Sequence, residues 1–298
     1  MRQLSFCPLC EDEKLKREHD CIDFSTSKES FSIVSCETCG FLLTNPVPKK
    51  NEINKYYLSE NYISHSNSNK GLFNFLYQTI RKYTTYKKTK IINKLIKKGS
   101  VLDIGCGTGE FLNSCRKFGY KITGIEPSST AREKALKNHK INISNKTNLS
   151  QFKKGEFDCI TMWHSLEHVY ELQNTLKEIQ RILSDDGILI IAVPNHKSWD
   201  ASYYKEFWAA WDVPIHLWHF SKKTIMNLLD NYGFKLANSR PMLFDSYYVS
   251  ILSEEYKNGK KNFLKGFLIG TISNIAGATT NRGYSSEIYI FKKLKKAF

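Results

Sequence analysis

Residues 101–126 constrain this chain of 298 residues more than any other stretch. Val101 to Ile104 reads as a short apolar strand, and Gly105-Cys106-Gly107-Thr108-Gly109 as a turn with glycine at every second position. Glu110 to Phe118 has the composition of a helix that Gly119 closes, and Lys121 to Ile125 forms a second strand ending on Glu126. Strand, glycine turn, helix, strand and acid is the order in which open α/β sheets hold a nucleoside. Glycines let the backbone approach a ligand that a side chain would push away. An acid at the end of the second strand can accept hydrogen bonds from both ribose hydroxyls.

Spacing narrows the ligand. A dinucleotide fingerprint needs Gly-x-Gly-x-x-Gly, which places glycine at position 110, where this chain has Glu110. What stands here is Gly-x-Gly-x-Gly behind Asp103. In this form the stretch resembles the first motif of the class I S-adenosylmethionine-dependent methyltransferases. The resemblance implies that the turn, with Asp103, Gly105, Cys106, Gly107 and Gly109, borders the amino-acid part of S-adenosyl-L-methionine. It also implies that Glu126, followed by Pro127, holds the ribose, and that Asn148 and Leu149 stand where relatives contact the adenine.

The later elements follow the same family order. Ser128 or Ser129 caps a helix running through Ala131 to Asn138, and Ile141 to Ser144 is a third short strand. Phe157 to Met162 is the fourth, apolar as a central parallel strand must be. Leu172 to Leu183 is a helix, Asp185-Asp186-Gly187 a turn, and Ile188 to Val193 the fifth strand. A helix from Ser221 to Tyr232 and strands over 234–240 and 287–293 complete the set. The expected fold is α/β, a doubly wound, mostly parallel seven-stranded sheet whose last strand, by the resemblance, runs antiparallel.

Ahead of this domain, Cys7-Pro-Leu-Cys10 and Cys36-Glu-Thr-Cys39-Gly40 form two Cys-x-x-Cys knuckles with 25 residues between them. Each knuckle turns two sulfurs toward one point, and two complete a tetrahedral four-thiolate zinc site with no open position, hence a structural one. The eight cysteines and the charged, h-region-free first twenty residues predict a reducing, cytoplasmic setting, in which paired knuckles mean metal more often than disulfide. The expected layout is a zinc-ribbon-like module over 1–45, a linker and helical cover over 46–98, and the methyltransferase domain over 99–298. Within the cover, Asn54 to Tyr62 reads as a short helix near the cofactor mouth. Residues 71–98 read as mostly helical, with Phe73, Leu76, Tyr77, Ile80, Tyr83, Ile91, Ile92, Leu95 and Ile96 at helical spacing.

Candidate chemistry follows the fourth strand, in Trp163-His164-Ser165-Leu166-Glu167-His168-Val169. Ligands bind beyond the carboxyl ends of such strands, so Met162 or Trp163 can pack on the adenine. Glu167-His168-Val169 resembles a motif of the ubiquinone-type O-methyltransferases. Some relatives, among them small-RNA 3′-end methyltransferases, carry Glu-x-x-Glu-His and place a divalent metal there. Here His164 occupies the first Glu position; His164, Glu167 and His168 could still ligate a metal, or His168 could simply open a helix. A long aromatic insertion follows at 196–220 and ends in Pro214-Ile215-His216-Leu217-Trp218-His219-Phe220-Ser221. That form resembles a subset of zinc-ribbon-bearing bacterial methyltransferases. Its aromatic walls can exclude water, and His216, then His168, are the preferred general bases, with His219 a further candidate. The alternative is that these histidines are core or capping residues.

The net charge of +15 is concentrated in two segments. Residues 61–102 carry nine Lys/Arg and no Asp/Glu, and residues 257–298 carry nine Lys/Arg with Glu287 as the one acid. These two exceed the whole net charge, so the rest of the chain is near neutral. Such segregation suits an anionic surface, or else solvated helix faces of a lysine-rich chain. A second insertion, 246–283, reads as two helices flanked by Lys257, Lys260, Lys261 and Lys265. It reads first as a lid or core cover, otherwise as a dimer contact or a basic apolar helix lying on the inner face of a membrane. No apolar stretch reaches the roughly 18–20 residues that span a bilayer. The expected activity is methyl transfer to a small-molecule, lipid or glycan-precursor acceptor by in-line displacement. Nucleic acid, as in an RNA or tRNA methyltransferase, ranks second for want of an RNA-binding motif, and a non-catalytic cofactor-binding scaffold third.

Overall fold

The computed structural model describes residues 1–57 and 72–294. The chain opens with three antiparallel strands, β1 (Leu15–Ile22), β2 (Ser30–Cys36) and β3 (Leu42–Thr44). A 3-10 turn, Ile53–Tyr57, precedes α1 (Leu72–Leu95). The expected packing of Tyr62 lies outside the described residues, as do the side chains of Phe73, Leu76 and Tyr77. Then come β4 (Ser100–Ile104), α2 (Glu110–Lys117), β5 (Lys121–Ile125), α3 (Ser129–His139) and β6 (Phe157–Trp163). They are followed by α4 (Leu172–Ile182), β7 (Leu183–Pro194), α5 (Trp199–Tyr204) and β8 (Trp218–His219). The chain continues through α6 (Lys222–Asp230), β9 (Phe234–Pro241), α7 (Leu243–Asn258), α8 (Phe263–Thr279) and β10 (Ser286–Lys293).

The main sheet has the order β5-β4-β6-β7-β10-β9. Its first four strands are parallel, and β10 runs antiparallel between β7 and β9. Among the described residues six strands form this sheet where seven were expected. The segment Ile141 to Ser144 contributes one bridge, Ser144 to Ile125, because only Ile141 and Ile143 are buried and their side chains pack under α2 and α3. A second difference concerns Asp185-Asp186-Gly187. Instead of a turn before the strand, these residues are a bulge inside β7, with Asp185 and Asp186 exposed and Gly187 buried; β7 pairs Leu183 with Phe157 and resumes with Ile188 opposite Cys159.

Period explains the layers. Residues Leu172, Leu176, Ile179 and Ile182 of α4 recur at helical spacing and are buried against one face of the sheet with Leu102, Ile160 and Met162. Val101, Cys159, Ile190 and Ile290 alternate to the other face, under Ile92 of α1 and Phe111 of α2. β8, from the first insertion, pairs with β3, which ends at Thr44, so the N-terminal sheet takes its fourth strand from Trp218–His219, far downstream in the sequence. Cys7, Leu9, Cys36 and Phe41 share one apolar core with Leu102 and Leu189. The insertion, in turn, is pinned by Asp200, fully buried, whose carboxylate accepts from Ser273 of α8 (2.6 Å), Ser285 (2.7 Å) and the Trp208 indole (2.8 Å).

Candidate active site at the carboxyl ends of the strands

The glycine turn leaves β4 in left-handed conformations that L side chains resist, with φ of 77° at Gly105 and 53° at Gly107. A Cβ on Gly105 would lie 2.6 Å from that of Ser165, whereas one on Gly107 would meet nothing within 4 Å, so the turn is open there. Backbone N–H groups of Gly105 and Cys106 donate to the Ile125 carbonyl and tie the turn to β5. Glu126 then accepts from Gly107 N (2.9 Å) and Ser128 N (2.9 Å), setting its carboxylate against the turn. Pro127 is exposed beside it, its carbonyl held by Arg132. An open glycine corner with an acid at its rim fits a ribose-bearing cofactor.

The other expected cofactor residues divide into wall and core. Asp103 is buried and accepts from Thr161 Oγ1 at 2.6 Å; burial pushes its carboxyl up to about 7, with Lys88 pulling the other way. Trp163 stands edge-on to Phe111 with the Lys88 ammonium 4.4 Å above its ring, and its buried Nε1 has no partner. Cys106 points its thiol into the apolar cluster of Leu112 and Ala135, so it offers the site backbone alone. Met162 is fully buried in the central core on the opposite face of β6 from Trp163's neighbours, and packs the sheet rather than a ligand. Asn148 is exposed and spends its side chain capping the turn over Leu149, which is itself buried in the core.

Beyond β6 the chain turns at His164, whose φ of 52° swings its ring off the strand line. Its Nδ1 lies 3.4 Å from Glu167 and its Nε2 3.0 Å from Asp245 at the start of α7. Burial alone would lower this imidazole, but the two carboxylates override it and hold it up at about 9. Glu167 is 1 % exposed, and neither of its oxygens makes a hydrogen bond. Burial would raise its carboxyl, yet His164 and the other two histidines keep it below the ordinary value.

His168 and His216 complete the group, their rings edge-to-face at 4.7 Å. Nδ1 of His168 is 3.0 Å from the Ile215 carbonyl and 3.2 Å from the Tyr57 hydroxyl; Nδ1 of His216 is 2.9 Å from the Ala210 carbonyl. Each Nδ1–H therefore donates to main chain, which leaves the lone pair of a neutral ring on Nε2. Burial, reinforced by His216, lowers His168 to about 4, and burial lowers His216 as well. One donor atom from each of Glu167, His168 and His216 lies within 4.8 Å of the others, a set chemically suited to a divalent cation. His216, placed first among the bases by its motif, is 8 % exposed and stands behind the half-buried His168.

His219 does not join this group. It is buried on β8, where its Nε2 donates to Thr44 Oγ1 at 3.0 Å while that hydroxyl donates to the His216 carbonyl at 2.7 Å. Its place is a bracket between the N-terminal sheet and the insertion. Asp245, Lys88 and Ser165 escaped the sequence reading. Asp245 lies in a helix with nothing nearby to mark it as polar machinery, and Lys88 is one lysine among many on α1. Tyr57 was legible, since its segment was expected near the cofactor mouth.

Far from this cleft, the four knuckle cysteines converge. Cys7 Sγ is 3.5 Å from Cys39 Sγ, Cys10 Sγ is 3.4 Å from Cys36 Sγ, and all four sulfurs lie within 4.8 Å of one another. A tetrahedron with Zn–S bonds of about 2.3 Å has sulfurs about 3.8 Å apart, so the donor set fits zinc.

Comparison with known proteins identifies the fold and family. The chain is 28% identical over 240 residues to the ubiquinone biosynthesis O-methyltransferase of Pelagibacter ubique, covering 72% of this chain and all of that one. It is 38% identical over 116 residues to an uncharacterized protein of Methanocaldococcus jannaschii, a match spanning 38% of this chain and 45% of that protein's length. Among solved structures, one from Galdieria sulphuraria, assigned as a sarcosine dimethylglycine methyltransferase, superposes with a TM-score of 0.51 at 13% identity, over 72% of this chain and 86% of the other. That likeness concerns the fold. The family model described as a methyltransferase domain matches residues 77–239, more than half of the chain. With the Gly-x-Gly-x-Gly turn, Glu126 and the antiparallel β10 all in place, the chain belongs to this methyltransferase-domain family, within the class I S-adenosylmethionine-dependent enzymes.

Proposed function

We propose that the chain transfers the methyl group of S-adenosylmethionine to a proton-bearing heteroatom of a small-molecule, lipid or glycan-precursor acceptor. One observation carries this reading. At the end of β6, beside the glycine turn, a buried carboxylate paired with the His164 ring at 3.4 Å is flanked by two further histidines whose Nδ1 atoms are committed to main-chain carbonyls. Such a group is built to receive a proton and to stabilise the cation that results.

Bound, S-adenosylmethionine supplies an electrophilic methyl group on a cationic sulfur. Gly105 and Gly107 leave the space for it, and Glu126 orients it by the ribose. His168, the more open of the two histidines, takes the acceptor's proton, and Glu167 stabilises the imidazolium so formed. The acceptor's lone pair forms the bond to the methyl carbon as the carbon–sulfur bond breaks, with that electron pair staying on sulfur. A divalent cation held by Glu167, His168 and His216 would occupy the Nε2 lone pair of His168 and stand in place of the proton transfer to that ring, polarising the acceptor heteroatom so that it loses its proton more readily. Cys7, Cys10, Cys36 and Cys39 would hold a structural zinc.

The test is label transfer from S-adenosylmethionine, labelled in its methyl group, into fractionated extract of the cells that make this protein. Label in a lipid, glycan or small-molecule fraction, lost in His168→Ala and Glu167→Gln variants that still bind cofactor, is the expected result. Label in RNA, or none in any fraction, overturns the reading.

A further inference from the structure

Helices α7 and α8 form a hairpin in which one face of α8 is fixed by its small residues. A Cβ on Gly266 would come within 2.8 Å of the Ile251 Cα, and one on Gly270 within 2.9 Å of the Tyr247 Cα. Ser273 follows at the same helical spacing, is fully buried and donates to Asp200. The Gly266, Gly270 and Ser273 stripe therefore faces α7 and the insertion at backbone contact. Its opposite face cannot be turned inward without breaking that contact.

That opposite face is apolar. Leu264 is 87 % exposed, Phe267 60 %, Leu268 57 % and Ile275 58 %. Four large apolar side chains on one outward helical face form a patch, not the scattered exposure of ordinary surfaces. The chain segment that carries the patch has charge of one sign. Residues 256–286 contain no Asp or Glu, while Lys257, Lys260, Lys261 and Lys265 crowd the amino end of α8. Lys261 and Lys265 reach Glu255 (3.7 Å) and Glu254 (3.1 Å) on α7, which accounts for the acids nearest to them. No described helix is long and apolar enough to cross a membrane.

We propose that the α7–α8 hairpin docks this protein on an anionic phospholipid bilayer, with Leu264, Phe267, Leu268 and Ile275 set into the headgroup–acyl boundary and the exposed Lys260 and Lys261 over acidic headgroups, while Lys257 and Lys265 lie over the Tyr203 ring. An apolar helical face with a basic collar and too short a span is the pattern of a helix lying in the interface plane. Charge complementarity selects this occupant over a second copy of the chain, whose equally basic hairpin would be repelled. Docking also reaches the cleft through a single element, because Asp245, the partner of His164, lies in the first turn of α7.

The experiment is cosedimentation of the full chain with vesicles of phosphatidylcholine alone and with about one third phosphatidylglycerol. Binding to the anionic vesicles is expected to exceed binding to neutral ones at least tenfold and to weaken as salt is raised. Leu264→Asp combined with Leu268→Asp should abolish it with the melting temperature unchanged, since both side chains are exposed; Lys260→Glu combined with Lys261→Glu should weaken it severalfold. Equal binding of the aspartate variant, no binding to either vesicle, or a dimer in solution that the aspartate variant splits overturns the proposal.

Discussion

His164 Nε2 lies 3.0 Å from Asp245 Oδ2, a contact between residues 81 apart in sequence that joins the end of β6 to the start of α7. It sets a cationic ring at the rim of the cleft and links the cofactor half of the site to the second insertion. Asp245→Asn keeps the shape and removes the charge. A hydrogen bond to a charged group contributes about 1.5 kcal/mol at the lower end, roughly tenfold in rate. With the acceptor identified by label transfer, kcat/KM should fall about tenfold while cofactor affinity, measured by calorimetry, stays within about twofold. An unchanged kcat/KM removes Asp245 from the site.

Glu126 is expected to act twice, on the ribose and on the turn, because its carboxylate accepts from Gly107 N and Ser128 N. Glu126→Ala should raise the cofactor Kd by about a hundredfold, and Glu126→Gln by less, as two charge-assisted hydrogen bonds of about 1.5 kcal/mol each are lost or weakened. Gly105→Ala tests the same corner sterically. Its methyl would stand 2.6 Å from the Ser165 Cβ at a φ of 77°, so cofactor binding should be lost together with several degrees of melting temperature. A Gly105→Ala protein that binds cofactor normally would show that the turn is not the contact surface.

Asp103 gives the site a pH dependence. Burial lifts its carboxyl from an ordinary 3.8 to about 7. Between those values the folded chain keeps a proton that the unfolded chain has released, so this residue's contribution favours folding at low pH and declines as pH rises toward 7. Asp103→Asn is neutral throughout and its amide oxygen can still accept from Thr161. The variant should therefore gain stability relative to the parent as pH rises from 5 to 7, read as a growing difference in melting temperature that levels off above 7 and corresponds to about 2–3 kcal/mol over those two pH units. A positively charged cofactor beside Asp103 would lower its pKa, so affinity for S-adenosylmethionine should rise over the same range in the parent and not in the variant. A constant difference in melting temperature across that range contradicts the assignment.

The parts of this arrangement legible in sequence are those set by local pattern. Glycine spacing at 105–109, the run Phe157 to Met162 and the helical period of Leu172, Leu176, Ile179 and Ile182 fix strands, turn and helix without help from distant residues. The parts that were not legible depend on pairing across the chain. Ile141 to Ser144 has the apolar alternation of a strand, yet its isoleucines are drawn under two helices and one bridge remains. His216 and His219 stand three residues apart in one motif, but the strand pairing of β8 with β3 sends His219 to Thr44 and leaves His216 beside Glu167. Period-two alternation cannot say which neighbour a strand will find.

The four knuckle cysteines were the most legible feature of the N-terminal segment, and their connection to the rest of the fold makes metal removal a global test. Cys7 and Cys36 lie in the same apolar core as Leu102 and Leu189, and β3 pairs with β8 of the insertion that also carries His216. Purified protein should contain about one zinc per chain, and cobalt in its place should give the intense thiolate charge-transfer bands of a four-sulfur site. Because the site closes two knuckles against a shared core, stripping the metal with a chelator, or Cys36→Ser, should lower the melting temperature of the whole chain in a single transition. Cofactor affinity should fall with it, since the strand that brackets Thr44 to the His216 carbonyl would lose its anchor. A chain with no bound metal refutes the site. A chain that loses its metal and melts first in the N-terminal segment, with cofactor binding intact, would instead mean that the two sheets fold independently.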